Sequence, residues 1–249
     1  MESHEEQPLT VGVARVLEAL ARGELSVETS MPYSSNYTLL STVEHEGLRL
    51  LAIYKPRRGE RPLWDFPRGT LYKREAAAYL ISEALGFGLV PPTVVRDGPY
   101  GVGSVQLFIN SDEDAHLFTM LKEGVYDSVI RRLCAFDSVV NNADRKSGHC
   151  LKGLDGRLWA IDHGICFHHE HKLRTVLWDY AGEPLPPDVL QALRGLRTGL
   201  EGEAELATTL AALLEPAELR AVRRRLDRLI ERGVYPSPGA GPNVPWPPV

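Results

Sequence analysis

The chain is short of cysteine: Cys134, Cys150 and Cys166 are all it has, an odd number with no CxxC pair. That excludes a disulfide-stapled scaffold or a four-cysteine zinc module and points to a reduced compartment. No apolar run approaches the roughly 20 residues needed to cross a bilayer. Positive charge is not in excess either. Against 33 Asp and Glu stand 28 Lys and Arg, a formal net charge of -5, which argues against a general nucleic-acid binder. The opening Met1-Glu2-Ser3-His4-Glu5-Glu6 is acidic and polar, unlike a signal peptide, so a cytoplasmic location is expected, with peripheral contact at a membrane as a variant. There is no internal repeat.

What is present suits a folded enzyme-sized body. With 249 residues, 43% hydrophobic and 24% charged, the chain can bury one sizeable core or two small lobes around a cleft. Val13, Leu17 and Leu20 predict a helix over 9–22, stopped by Gly23. Segments 36–43 and 48–55 predict a hairpin turning at His45-Glu46-Gly47, with Pro56 ending its second strand. A proline- and glycine-marked loop, 56–74, precedes a helix over 73–85. Strands are expected over 93–96 and 102–109. Val125, Val129, Leu133, Phe136 and Val140 predict one long helix over 123–141. Asp155-Gly156 marks a short hairpin, and helices follow over 186–197, 201–214 and 216–232. A tail of prolines and glycines, 236–249, should be extended or disordered. The expectation is an α+β chain of two lobes, a β-rich one over about 9–110 and a mainly helical one over about 111–235, with a ligand cleft between them.

Two constellations carry chemistry. Asn142-Ala143-Asp144-Arg145-Lys146-Ser147-Gly148-His149 puts an acid, bases and metal donors in a loop between a buried helix and a strand. Ala160-Ile161-Asp162-His163-Gly164 delivers a second acid from an apolar strand into a turn. The intervening hairpin should bring Asp144, His149 and Asp162 together. Phosphoryl transfer needs one carboxylate to orient the attacking hydroxyl, another to hold a divalent metal, and a lysine to neutralise the phosphates. Lys55 at a strand end, braced by Glu75 in the next helix, would supply the last.

These motifs resemble the phosphatidylinositol 3-/4-kinase family, nearest the type II phosphatidylinositol 4-kinases and their bacterial relatives and more distantly the HipA-like kinases. Asp144-Arg145-x-x-x-His149-x-Leu151 resembles the catalytic loop and Ile161-Asp162-His163-Gly164 the metal-binding turn. Ile53-Tyr54-Lys55-Pro56 is similar to the ATP-lysine strand and Glu75-Ala76-Ala77-Ala78-Tyr79-Leu80 to the helix supplying its partner; Val90-Pro91-Pro92-Thr93 follows in order. Gly103-Ser104-Val105-Gln106-Leu107-Phe108 resembles the strand leading to the adenine hinge, and Ser34-Ser35-Asn36-Tyr37 stands where the phosphate-covering loop would be. The matches run in family order from about 33 to 167.

The resemblance implies a two-lobed, protein-kinase-like fold that uses ATP with Mg or Mn. Asp144 would be catalytic, with Arg145 or Lys146 stabilising charge at the transferred group. Asp162 and His149 would hold metal, and Lys55, Glu75, Ser34, Ser35, Asn36, Gln106 and Phe108 would hold nucleotide. The acceptor hydroxyl would belong to a lipid headgroup or a protein; no nucleic-acid partner is expected. His149 departs from the family's asparagine, which predicts a preference for Mn and loss of activity as the imidazole protonates below about pH 6.5. The covering loop also lacks glycine, so a nucleotide-binding pseudokinase is the competing expectation.

Each residue has a plainer reading. Asp144 could end a helix, Lys55 could be a solvated strand-end lysine, and Glu75 could complement a helix dipole. Cys166, His168, His169 and His171 match no closed zinc pattern and read as a polar loop. Arg57, Arg58, Arg61, Arg68, Lys73 and Arg74 surround Trp64 and Phe66; a solvated loop is the default, and a surface for an anionic headgroup or acidic partner the alternative. The arginines of 220–232 read as a solvated helix face.

Overall fold

The computed structural model describes residues 11–31 and 37–248. Its first lobe is an antiparallel five-stranded sheet in the order β1-β2-β3-β5-β4. The strands are β1 (Glu24–Ser30), β2 (Leu39–His45), β3 (Leu48–Pro56), β4 (Thr93–Gly98) and β5 (Gly101–Leu107). The β2–β3 hairpin forms where Glu46 and Gly47 adopt positive φ, +45° and +76°, as a two-residue turn requires. That turn sets the register pairing Leu39 with Tyr54 and Val43 with Leu50. Strand β1 has no counterpart in the sequence reading. It is an edge strand with Leu25 as its one fully buried residue, so it shows little apolar alternation.

Helix α1 (Val13–Arg22) seals one face of the sheet, packing Val16 and Leu20 on Leu25, Leu39, Val43, Tyr54 and Val105. Helix α2 (Leu71–Ala84) belongs to a different core. Its Ala77, Ala78 and Ile81 join the large cluster formed by the second lobe. Ten of its fourteen residues are buried, so it has almost no solvent face to be amphipathic against. It starts two residues earlier than the composition suggested, because the Glu60 carboxylate accepts the free N–H of Tyr72.

The second lobe corrects the long helix. Gly124 at φ +72° ends a short helix α3 (Leu117–Glu123), and α4 begins at Asp127 and runs to Val140. Val125, expected on the buried stripe, is 77% exposed in the turn between them. Asn141 closes α4 in the left-handed region, φ +56°. A small hairpin, β6 (Cys150–Lys152) and β7 (Leu158–Ala160), follows, then α5 (Pro187–Gly199), α6 (Glu205–Leu213) and α7 (Pro216–Arg232). The connection between lobes is pinned to that hairpin by the N–H of Asp112 donating to Lys152 and that of Leu154 donating to Asn110. The proline-rich tail is extended but docked. Thr175 N–H and Trp178 Nε1 both donate to the carbonyl of Asn243, and Ser147 N–H donates to that of Pro248.

Candidate active site

Lys55 sits near the end of β3, opposite Ser104 of β5, which points its amine between the lobes. Its Nζ is 2.5 Å from Glu75 Oε1 and 3.0 Å from Asp162 Oδ1. Burial works to lower its pKa, but the two carboxylates outweigh that and hold it raised. Glu75 does double duty. Its other oxygen, Oε2, accepts the backbone N–H of His163 at 2.9 Å, so one carboxylate ties the lysine to the turn carrying Asp162. Asp162 adopts positive φ, +62°, a conformation that costs free energy for a non-glycine residue and recurs at functional sites. The Lys55 charge beside it holds its carboxyl well below the usual range, against burial.

The loop after α4 supplies the opposite wall. Asp144 is placed by its own N–H, which donates to Asn142 Oδ1 at 2.9 Å. Burial pushes the Asp144 carboxyl up, offset in part by Lys146, whose Nζ is 3.3 Å from its Oδ2. His149 Nδ1 lies 2.8 Å from the carbonyl oxygen of Asp144. A carbonyl only accepts, so Nδ1 carries the proton and Nε2 of the neutral ring presents a lone pair. That Nε2 faces Asp162 Oδ2 at 3.4 Å. Two acceptors facing each other form a donor pair for a cation, and carboxylate with imidazole suits Mn or Mg completed by phosphate oxygens. Burial also lowers the His149 pKa, which carries its protonation further into acid than the ordinary value implies.

Arg145 corrects the sequence reading. It is fully buried, and all five of its N–H donors are committed. Nε and Nη2 grip the Asp137 carboxylate at 2.9 and 3.0 Å, Nη1 serves the carbonyls of His149 and Ile161 at 3.1 Å each, and Nη2 reaches His163 Nε2 at 2.7 Å. Nothing remains to meet a transferred phosphoryl group. Instead Arg145 fastens α4 to both chemistry-bearing loops. Sequence reasoning missed the parts played by its partners Asp137 and His163, and by Asn142, whose Nδ2 donates to Asp137 Oδ1 at 3.0 Å. Asp137 left a trace, an acid beside Phe136 in the mostly apolar stretch 133–140 of α4.

The cleft bounded by Lys55, Asp162, Gly148, Leu151, Ile161 and Phe108 has a volume of about 490 Å³. Gln106 borders it, with its Nε2 donating to Thr93 Oγ1 at 2.8 Å. Phe108 holds the hinge side, its N–H donating to Leu51. Ser34, Ser35 and Asn36 lie outside the described residues. Among the described residues no group of three or more His, Cys, Asp or Glu side chains is arranged to hold a metal. His168 instead meets Asp65 O through Nε2 and stacks edge-on against Phe66.

A second feature absent from the sequence reading holds the lobes together. Arg74, next to Glu75 on α2, is buried against Glu218 of α7 at 2.5 Å and donates to the carbonyl of Cys166 at 2.8 Å. Lys172 and Asp65 add a 2.7 Å pair beside it. The helix bearing Glu75 is thereby fixed to the second lobe.

No family model matches the chain. Protein Rv2133c of Mycobacterium tuberculosis (strain ATCC 25618 / H37Rv) is 43% identical over 264 residues, covering 92% of this chain and 93% of its own length. The chain belongs to the Rv2133c family. Phosphatidylinositol 4-kinase gamma 2 of Arabidopsis thaliana is 25% identical over 237 residues, 74% of this member of the family but 42% of the plant protein. Among solved structures, hydra Fam20 with sugar matches with a TM-score of 0.53, covering 88% of this chain and 87% of that one. The Golgi casein kinase matches at 0.52, covering 88% and 74%, and its form with Mn and ADP bound at 0.51, covering 88% and 75%. At 14% identity these likenesses establish the fold alone, which is protein-kinase-like.

Proposed function

We propose that this member of the Rv2133c family is an ATP-dependent phosphotransferase that moves the γ-phosphate to an alcohol. The observation that carries the reading is the meeting of Lys55, Glu75, Asp162 and His149 at one cleft, with the His149 tautomer leaving a lone pair beside the Asp162 carboxylate. A salt-bridged structural lysine accounts for Lys55 and Glu75 but not for two acceptors aimed at each other.

In this reading Lys55 holds the phosphates of ATP and Glu75 keeps its amine extended. Asp162 and His149 hold the divalent metal, which when bound neutralises phosphate charge. Asp144 accepts the proton of the acceptor hydroxyl as that oxygen bonds to the γ-phosphorus and the bond to the departing ADP oxygen breaks. Its raised pKa suits a proton acceptor working near neutrality. Lys146, paired to Asp144, orients that carboxylate and would offset charge at the transferred group. The imidazole ligand supports a preference for Mn over Mg.

The acceptor is the hydroxyl of an inositol-lipid headgroup or of a protein serine or threonine. Radiolabelled ATP offered separately to lipid extract and to protein lysate, with Mg or Mn, distinguishes them; label should enter one fraction and vanish with Asp144→Ala. ATP binding by thermal shift without turnover, unchanged by Asp144→Ala, would convert the reading to that of a nucleotide-binding regulatory module. No ATP-dependent shift at all would sink both.

A further inference from the structure

A second cavity of about 480 Å³, close in size to the cleft, opens on the outer side of the first lobe. Arg57, Arg58, Arg61 and Arg68 line it over a floor that includes Phe66, Leu71 and Val102. It draws on segment 56–74, the connection after β3 and the first turn of α2, which carries six basic residues against two acidic ones in a chain whose net charge is -5. Among the described residues, Arg57, Arg58 and Arg68 have no ion pair and no side-chain hydrogen bond. Arg74, on the same stretch, is ion-paired to Glu218 and donates to the carbonyl of Cys166. Glu60 is the carboxylate on the wall, and one of its oxygens already accepts the N–H of Tyr72.

Gly69 sits at φ +72°, a backbone conformation that favours glycine, and the Arg57 guanidinium lies against it. The cavity also includes the start of α2, whose N-terminal end favours negative charge. Guanidiniums gathered around one concavity repel one another unless an anion joins them, and their planar donors fit phosphoryl oxygens in pairs. We infer that this cavity is a second anion site, separate from the ATP cleft, that binds the phosphoryl group of a phosphate ester. The ester's source is either a soluble compound or the headgroup of an anionic lipid, and the exposed Trp64 (93%) within the same segment is compatible with either.

The test uses the full chain without divalent metal and two probes: inorganic pyrophosphate by calorimetry, and co-sedimentation with phosphatidylcholine vesicles with or without phosphatidic acid. Saturable binding that weakens about tenfold or more when Arg57→Gln, Arg58→Gln and Arg68→Gln are combined, while Lys55→Gln leaves it intact, is the expected result. Binding of pyrophosphate assigns a soluble ester; binding confined to phosphatidic-acid vesicles assigns a lipid. Binding lost in Lys55→Gln but kept in the arginine variant puts the anion in the cleft and overturns the inference, as does the absence of saturable binding by either probe. Circular dichroism and thermal melting check that the variant is folded, and Arg57→Lys, which keeps charge but loses the planar fork, gives a milder second variant that should weaken binding in part.

Discussion

The two cavities are nearly equal in volume and opposite in construction. In and beneath the cleft the charges answer one another: Lys55 to Glu75 and Asp162, Asp144 to Lys146, and, underneath, Arg145 to Asp137. In the outer cavity three guanidiniums, Arg57, Arg58 and Arg68, have no ion pair among the described residues. The first holds its side chains before any ligand arrives, and the second is open to an anion from outside. Removing one charge from an interlocked buried set strands its partner in a poor solvent. Removing one from an exposed, self-repelling set strands nothing.

The largest effect should come from beneath the cleft. Arg145→Ala or Asp137→Ala should destabilise the fold by about 3–5 kcal/mol, read by denaturant unfolding, because each leaves a buried charge uncompensated. A loss under about 1 kcal/mol would erase the distinction between the two regions. Next, Asp144→Asn should cut phosphoryl transfer by about 10²–10⁴-fold with a melting temperature near that of the parent chain; an equal fall in both would recast Asp144 as structural. Glu218→Gln should loosen α2, and with it the Glu75 carboxylate that raises the Lys55 pKa. Lys55 should then react faster with limiting acetic anhydride than in the parent, relative to Lys122 by peptide mass spectrometry. Unchanged labelling would mean that α2 is positioned without the Arg74–Glu218 pair. Smallest of all, Arg58→Gln and Arg68→Gln should each change stability by no more than about 0.5 kcal/mol. A loss like that at Arg145 would show that the outer arginines are structural after all.

Much of the fold was legible because it is written in local signals. The β2–β3 hairpin is announced by apolar strands around Glu46-Gly47, and the β6–β7 hairpin by Asp155-Gly156. Gly124 was equally visible but was overridden by the spacing of Val125, Val129 and Leu133, a face that continued in sequence and not in space. Edge strand β1 and helix α3 carry too few buried residues, Leu25 in one and Leu117 and Met120 in the other, to show a period. At the site, Lys55, Glu75, Asp144, His149 and Asp162 could be picked out because each sits in a short ordered motif. Arg145 was picked out for the same reason and given the wrong task, since a neighbour's position in a motif says nothing about where its donors end up.

Local sequence by itself determined most of the strands, helices and turns, and which residue types the cleft could recruit, since backbone preference and apolar spacing act over a few residues. Only the tertiary structure decided the work each polar side chain does. Arg145 became a buried brace, Glu75 a bridge from lysine to turn, His149 a ring with its lone pair toward Asp162, and Arg74 a bolt to Glu218, 144 positions away. The physical reason is that a polar group's role depends on which partners share its low-dielectric surroundings, and those partners arrive from distant parts of the chain only when the lobes close on one another.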